Sequence, residues 1–145
     1  MTIDELKQQC ESETKNIERI MNELFSVYTS EKSEYTLAEQ ASIGALLMNV
    51  YGGIENILKH VLVYDRLDVD DSPEWHEKVL RKASEIGIVP PDLLQILSRY
   101  LAFRNYFVYN YVFSINWEDM KTLVDAINDV VHKLKTEVDE YIQTL

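Results

Sequence analysis

Apolar residues recur at Ile3, Leu6, Cys10, Ile17, Ile20, Met21, Leu24, Phe25 and Tyr28, in steps of three, four and seven. That spacing keeps them on one face of an α-helix and predicts a first amphipathic helix. The polar stretch from Thr29 to Tyr35 breaks the period. Thr36 followed by Glu39 has the form of a capping box, in which each side chain serves the other residue's backbone amide, so a second helix begins at Leu37 and reaches Tyr64. From Ala41 to Tyr51 this helix is apolar nearly all round, which predicts the central, most buried element. Gly52 and Gly53 interrupt it. A glycine inside a helix costs about 1 kcal/mol against alanine, so the pair calls for a kink or a close approach by another backbone. Close packing is the preferred reading, because no adjacent basic residue makes the pair a phosphate cradle.

The acidic run from Asp65 to Ser72 has no helical period, and in Ser72-Pro73-Glu74 the serine can cap and the proline can occupy a first turn. A short third helix follows from Trp75 to Ile86, with Gly87 as a left-handed terminus. Pro90 and Pro91 forbid helix just before them and permit a new start, so a fourth helix runs from Asp92 toward Tyr109. Asn116, with Asp119 three residues on, opens the last helix. Its apolar positions Met120, Leu123, Val124, Ile127, Val130, Leu134, Val138, Tyr141, Ile142 and Leu145 keep the three-four spacing to the end. The expected fold is all-α: an up-and-down antiparallel bundle of four long helices and one short one, forming a single domain over residues 1–145.

Composition agrees with a packed helical protein: 145 residues, 46% hydrophobic and 27% charged, with only 4 Gly and 3 Pro. No basic region precedes an apolar run at the start, and no stretch approaches the roughly 18 apolar residues that span a bilayer, so a cytoplasmic protein without a membrane segment is expected. The single cysteine, Cys10, has no Cys or His at ligand spacing and reads as a small core residue in a reducing compartment. No metal or other cofactor is expected. His60 and His132 lack a second ligand at metal spacing, and His76, beside Trp75, reads as a packing and hydrogen-bonding residue. The formal charge of −11 repels polyanions at long range, so any nucleic acid needs a local basic site.

The unusual segment runs from Tyr100 to Trp117, where Arg104 sits among apolar and aromatic residues. A half-buried guanidinium needs carboxylate, carbonyl or phosphate partners. Two readings stand: a structural salt bridge, or an anion site exploiting the planar fork that matches phosphate.

This segment resembles the HepT-like branch of the HEPN ribonuclease-toxin family. There the helix carries Phe-Arg-His, three variable residues, His, any residue, Tyr, then an aromatic and a Leu-Asp-Trp-like run. Phe103, Arg104, Tyr111, Phe113 and Ile115-Asn116-Trp117 match that pattern. Upstream, Tyr51-Gly52-Gly53-Ile54-Glu55-Asn56-Ile57-Leu58 resembles the family's Tyr-x-Gly-x-Glu-x-Ile-Leu segment, and Glu74-Trp75-His76 its Asp-Trp-His segment. The resemblance implies a metal-independent RNA endonuclease built at a homodimer cleft. It also implies pairing with a small nucleotidyltransferase antitoxin of the MNT kind, which transfers AMP to the tyrosine matching Tyr111. Such an adduct places bulk and negative charge in the cleft and repels an RNA phosphate.

Two positions depart from the pattern. The histidine five residues after the arginine is Tyr109 here, and the one directly after it is Asn105. Cleavage by a ribose 2′-hydroxyl needs proton transfer near neutral pH and stabilisation of the charged phosphorane. An imidazole, with a reference pKa of about 6.5, suits the first task; a phenol, at about 10, is a poor base although it can donate a proton or hold a phosphate oxygen. Arg104 can still bind phosphate. At about 100° per residue, Arg104 and Tyr111 share a helix face while position 109 points about 140° away, so cooperation of 104 with 109 requires a distorted helix end or a second subunit. Tyr106, Phe107, Phe113 and Trp117 read equally as dimer interface or as internal core. Three functions follow: a HepT-like protein with ribonuclease activity absent or impaired, an active ribonuclease using Arg104 with tyrosines or Asn105, or a non-catalytic dimeric module that binds a protein partner.

Overall fold

A computed structural model describes residues 1–145 and is all helical. Its helices are α1 (Ile3–Val27), α2 (Leu37–Tyr64), α3 (Trp75–Glu85), α4 (Pro91–Tyr109) and α5 (Trp117–Gln143), with one 3-10 turn at Val112–Ser114 between the last two. Four long helices and one short one form the bundle expected from the apolar periodicity. No helix is long and apolar enough to cross a membrane.

The antiparallel course is visible in the pairs that bridge the helices. Along α1 and α2, Glu13 meets His60 and Ile17 lies against Gly53. Along α2 and α4, Gly44 faces Phe107 and Tyr51 stacks on Tyr100 at a centroid distance of 6.5 Å. Asp92 pairs with Lys133 and the Tyr100 hydroxyl donates to the Leu123 carbonyl at 2.6 Å, which sets α5 antiparallel to α4. The last helix returns beside the first, where Trp117 packs on Tyr28 and Tyr35.

All five helices contribute to one buried apolar cluster, and α2 supplies the largest share: Ile43, Leu47, Val50, Tyr51, Ile54, Ile57, Leu58, Val61 and Leu62. The all-round apolar composition of this helix therefore reflects neighbours on most sides. Cys10 is buried in the cluster as expected, and burial, followed by the nearby Asp139 and Glu13 charges, pushes its thiol up to about 11.

The helix ends follow local chemistry. Thr36 accepts from the Glu39 amide at 3.1 Å while Glu39 accepts from the Thr36 amide at 2.9 Å, a complete capping box. Thr2 and Glu5 form a second one that opens α1. Asn116 caps α5 through the Asp119 amide at 3.0 Å. Gly87 has φ +89° and closes α3 with bonds from Ile88 to Ala83 and from Gly87 to Ser84, the arrangement in which a left-handed residue satisfies the last carbonyls. Ser72 does not cap α3, in contrast to the sequence expectation. The helix begins two residues later, its flanking residue Glu74 gives no side-chain cap, and the Ser72 hydroxyl is taken by Lys78 at 3.0 Å.

The glycine pair divides. A Cβ on Gly53 would lie 2.5 Å from Ile17 Cγ1, so the residue permits α1 and α2 to approach, as close packing requires. A Cβ on Gly52 would meet nothing within 4 Å, and that glycine has no packing reason.

Candidate functional site

α4 carries Arg104 on one side and its exposed aromatics on another. Arg104 is half-buried, whereas Arg19, Arg66, Arg81 and Arg99 are exposed. Its guanidinium makes no ion pair with any carboxylate; the contact it has is donation to Asn105 Oδ1 at 3.0 Å. Asn105 in turn donates to Glu77 Oε1 at 3.4 Å. The salt-bridge reading of Arg104 therefore fails, and the charge is left facing a cleft.

That cleft, of about 600 Å³, lies between α1, α2, the start of α3 and α4. Gly52 and Gly53 form part of its floor, and Arg19, Asn49, Asn56, His76 and Arg104 stand around it. His76 and Glu55 are buried against each other, with Nδ1 and Oε2 2.7 Å apart. The position follows from sequence: Glu55 falls on the α3-facing side of α2, and His76 is the second residue of α3. Burial raises the Glu55 carboxyl above its usual range, and the His76 hydrogen bond and the charges of His76, Arg104 and Lys59 oppose this. Trp75 stacks on His76 at a centroid distance of 3.6 Å, and Lys59 lies over the indole at 4.3 Å. The Tyr51 hydroxyl is buried without a partner and is driven upward first by burial, then by the Glu55 and Glu77 charges, with Arg104 opposing.

Tyr109 and Tyr111 lie elsewhere. Helix α4 continues without distortion to Tyr109, so the angular separation from Arg104 is realised, and Tyr109 is 81% exposed. Tyr111, in the extended turn after α4, is 73% exposed and stacks on Phe113, itself 71% exposed, at 5.1 Å. Tyr106 and Val108 extend the exposed apolar surface. Phe107 and Trp117 instead pack inward, the first over Gly44 and the second on Tyr28 and Tyr35, so the aromatic segment serves both core and surface. Arg104 and Asn105 are brought together within one chain, and Tyr109 and Tyr111 are not brought to them.

Sequence reasoning treated His76 as a packing residue and read Glu55 only as part of a matching segment. Their pairing, separated by 21 residues, had no periodic signal. The one clue was that both segments matched one resemblance.

Fold and site together define an all-helical bundle whose fourth helix presents an unpaired half-buried arginine to a cleft and an aromatic end to solvent. A family described as HepT-like protein matches residues 42–145, from early in α2 to the end of the chain, and the chain belongs to that family. Comparison with curated proteins and with solved structures finds no match.

Proposed function

We propose that the protein is a cytoplasmic HepT-like member of the HEPN ribonuclease-toxin class, a single domain over residues 1–145 that dimerises through the end of α4 and has impaired RNA cleavage. The observation that carries the reading is the exposed cluster of Tyr109, Tyr111 and Phe113 at the terminus of the helix that holds Arg104. Large apolar side chains exposed side by side mark an interaction surface. A second copy seated there sets two Arg104-bearing helices around a shared cleft, where the guanidinium groups stabilise phosphate charge. Tyr109 then takes the place of the motif imidazole and Asn105 that of its neighbour, and proton transfer at neutral pH is what the site lacks. Tyr111, exposed, is open to adenylylation by an MNT-type nucleotidyltransferase partner.

A second reading, a non-catalytic dimeric module that binds a protein, is favoured by the net charge of −11, which weakens RNA attraction outside the arginine cleft. The deciding experiment compares the protein with its Asn105→His/Tyr109→His double variant for cleavage of total RNA in chelator. Cleavage by the double variant alone supports a silenced ribonuclease. Cleavage by the unaltered protein shows that Arg104 with Tyr109, Tyr111 or Asn105 suffices, and cleavage by neither favours the protein-binding module.

A further inference from the structure

The cleft beside Arg104 has the makings of a site within one chain. Its carboxylates are engaged: Glu55 on His76 at 2.7 Å, and Glu13 on His60 at 3.4 Å. Its guanidinium groups are not, since neither Arg104 nor Arg19 forms an ion pair. A half-buried guanidinium held only by a neutral amide oxygen gains most from an arriving anion, and its planar fork matches phosphate oxygens. With Nδ1 of His76 held by Glu55, the opposite ring nitrogen, Nε2, has no protein partner. An imidazole so oriented adds a hydrogen bond to a phosphate oxygen.

Gly52 supplies an independent observation. It lies in the floor of the cleft, and a side chain there would meet open space. A mid-helix glycine costs about 1 kcal/mol against alanine, and no packing contact explains it. What the missing side chain does is keep the cleft open directly between Arg19, His76 and Arg104. The amides of Asn49 and Asn56 stand at the same rim and can hydrogen-bond the edge of a base.

We propose that this cleft binds the phosphate group of a nucleotide, gripped by Arg104 and Arg19 with His76 beside them, over a floor that Gly52 keeps open. The cleft volume of about 600 Å³ is in the range of small-molecule sites. The net charge of −11 opposes a long polyanion far more than a single phosphate, so a mononucleotide is the favoured form of the ligand. The inference rests on reading Arg104 as a phosphate-facing residue, and extends the site to α1 and α3.

The test is calorimetric titration of the intact protein with adenosine monophosphate, with the His76 imidazole resonance followed by NMR. Binding that shifts this resonance, and that weakens at least about tenfold in Gly52→Leu and in Arg19→Ala, supports the proposal. Gly52→Leu has room in the cleft, and an unchanged or raised melting temperature separates blockage from misfolding. No binding, or equal binding by Gly52→Leu, overturns it. A single-stranded RNA octamer without terminal phosphate is the second arm: if it binds and Gly52→Leu prevents this while adenosine monophosphate does not bind, the mononucleotide site is overturned in favour of an RNA phosphodiester. The reading of the dimer cleft is judged separately by the Asn105→His/Tyr109→His variant. Cleavage by that variant with no nucleotide binding sinks this inference alone, and nucleotide binding without cleavage sinks the ribonuclease reading alone.

Discussion

Arg104 and Tyr109 leave the same undistorted helix in different directions, the first half-buried at a cleft and the second 81% exposed beyond it. They cannot act on one atom within a single chain. If the aromatic end of α4 is a homodimer contact, Tyr111→Ser/Phe113→Ser shifts sedimentation from dimer toward monomer. Both side chains are largely exposed, so unfolding of the monomer changes by only about 0.5 kcal/mol. Unchanged sedimentation across a concentration series would remove the interface from this surface.

Adjacent glycines should respond in opposite directions. Gly53→Ala drives a Cβ to within 2.5 Å of buried Ile17 and is expected to destabilise by about 1 to 3 kcal/mol in urea unfolding. Gly52→Ala meets nothing and gains helix propensity, for a stabilisation of up to about 1 kcal/mol. Equal effects at both positions would contradict the packing described for α1 and α2.

The buried Glu55 carboxyl gives a pH dependence with a definite sign. Its folded pKa lies above the usual glutamate value of 4.5, chiefly because burial penalises the charged form. The folded state therefore holds the proton more tightly than the unfolded chain. The stability this contributes is fully present below 4.5 and is lost as pH rises through the folded value. Thermal melts from pH 4 upward should show the parent losing stability relative to Glu55→Gln, whose amide does not titrate. A parent that gains on the variant over that window would reverse the assignment.

Cys10, with its thiol pushed up to about 11 by burial and by Asp139 and Glu13, should resist alkylation at pH 8 in the folded protein and react promptly in denaturant. Rapid native-state reaction would mean that α1 opens locally on the reagent's timescale.

Where the chain spoke through periodicity or paired end signals, the sequence was sufficient. The faces of α1 and α5 and the caps at Thr36, Gly87 and Asn116 are local, and each lies where its chemistry placed it. Other features are decided by partners distant in the chain. Gly52 and Gly53 look identical in sequence and differ only because Ile17 crosses one of them. Arg66 closes α2 at φ 58°, a left-handed conformation that a side chain disfavours by about 1 to 2 kcal/mol, so no residue-type rule points to it. The Glu55–His76 pair, and hence the cleft, emerged only when α3 was laid against α2. Arg104 was recognisable as an oddity among aromatics, but its freedom from carboxylates required the surroundings of its guanidinium.

The up-and-down course also decides which way the molecule can be extended. Cys10 near the start of α1 and Val138 and Ile142 near the end of α5 border one pocket, whereas Tyr28 and Trp117 meet at the far end, towards which α4 also runs. Anything appended before Ile3 or after Gln143 thus emerges at the pole opposite Tyr109, Tyr111 and Phe113. Purification tags, fluorescent fusions or surface tethers at either terminus leave the aromatic pole unobstructed, so immobilised protein can be presented to partners in one orientation.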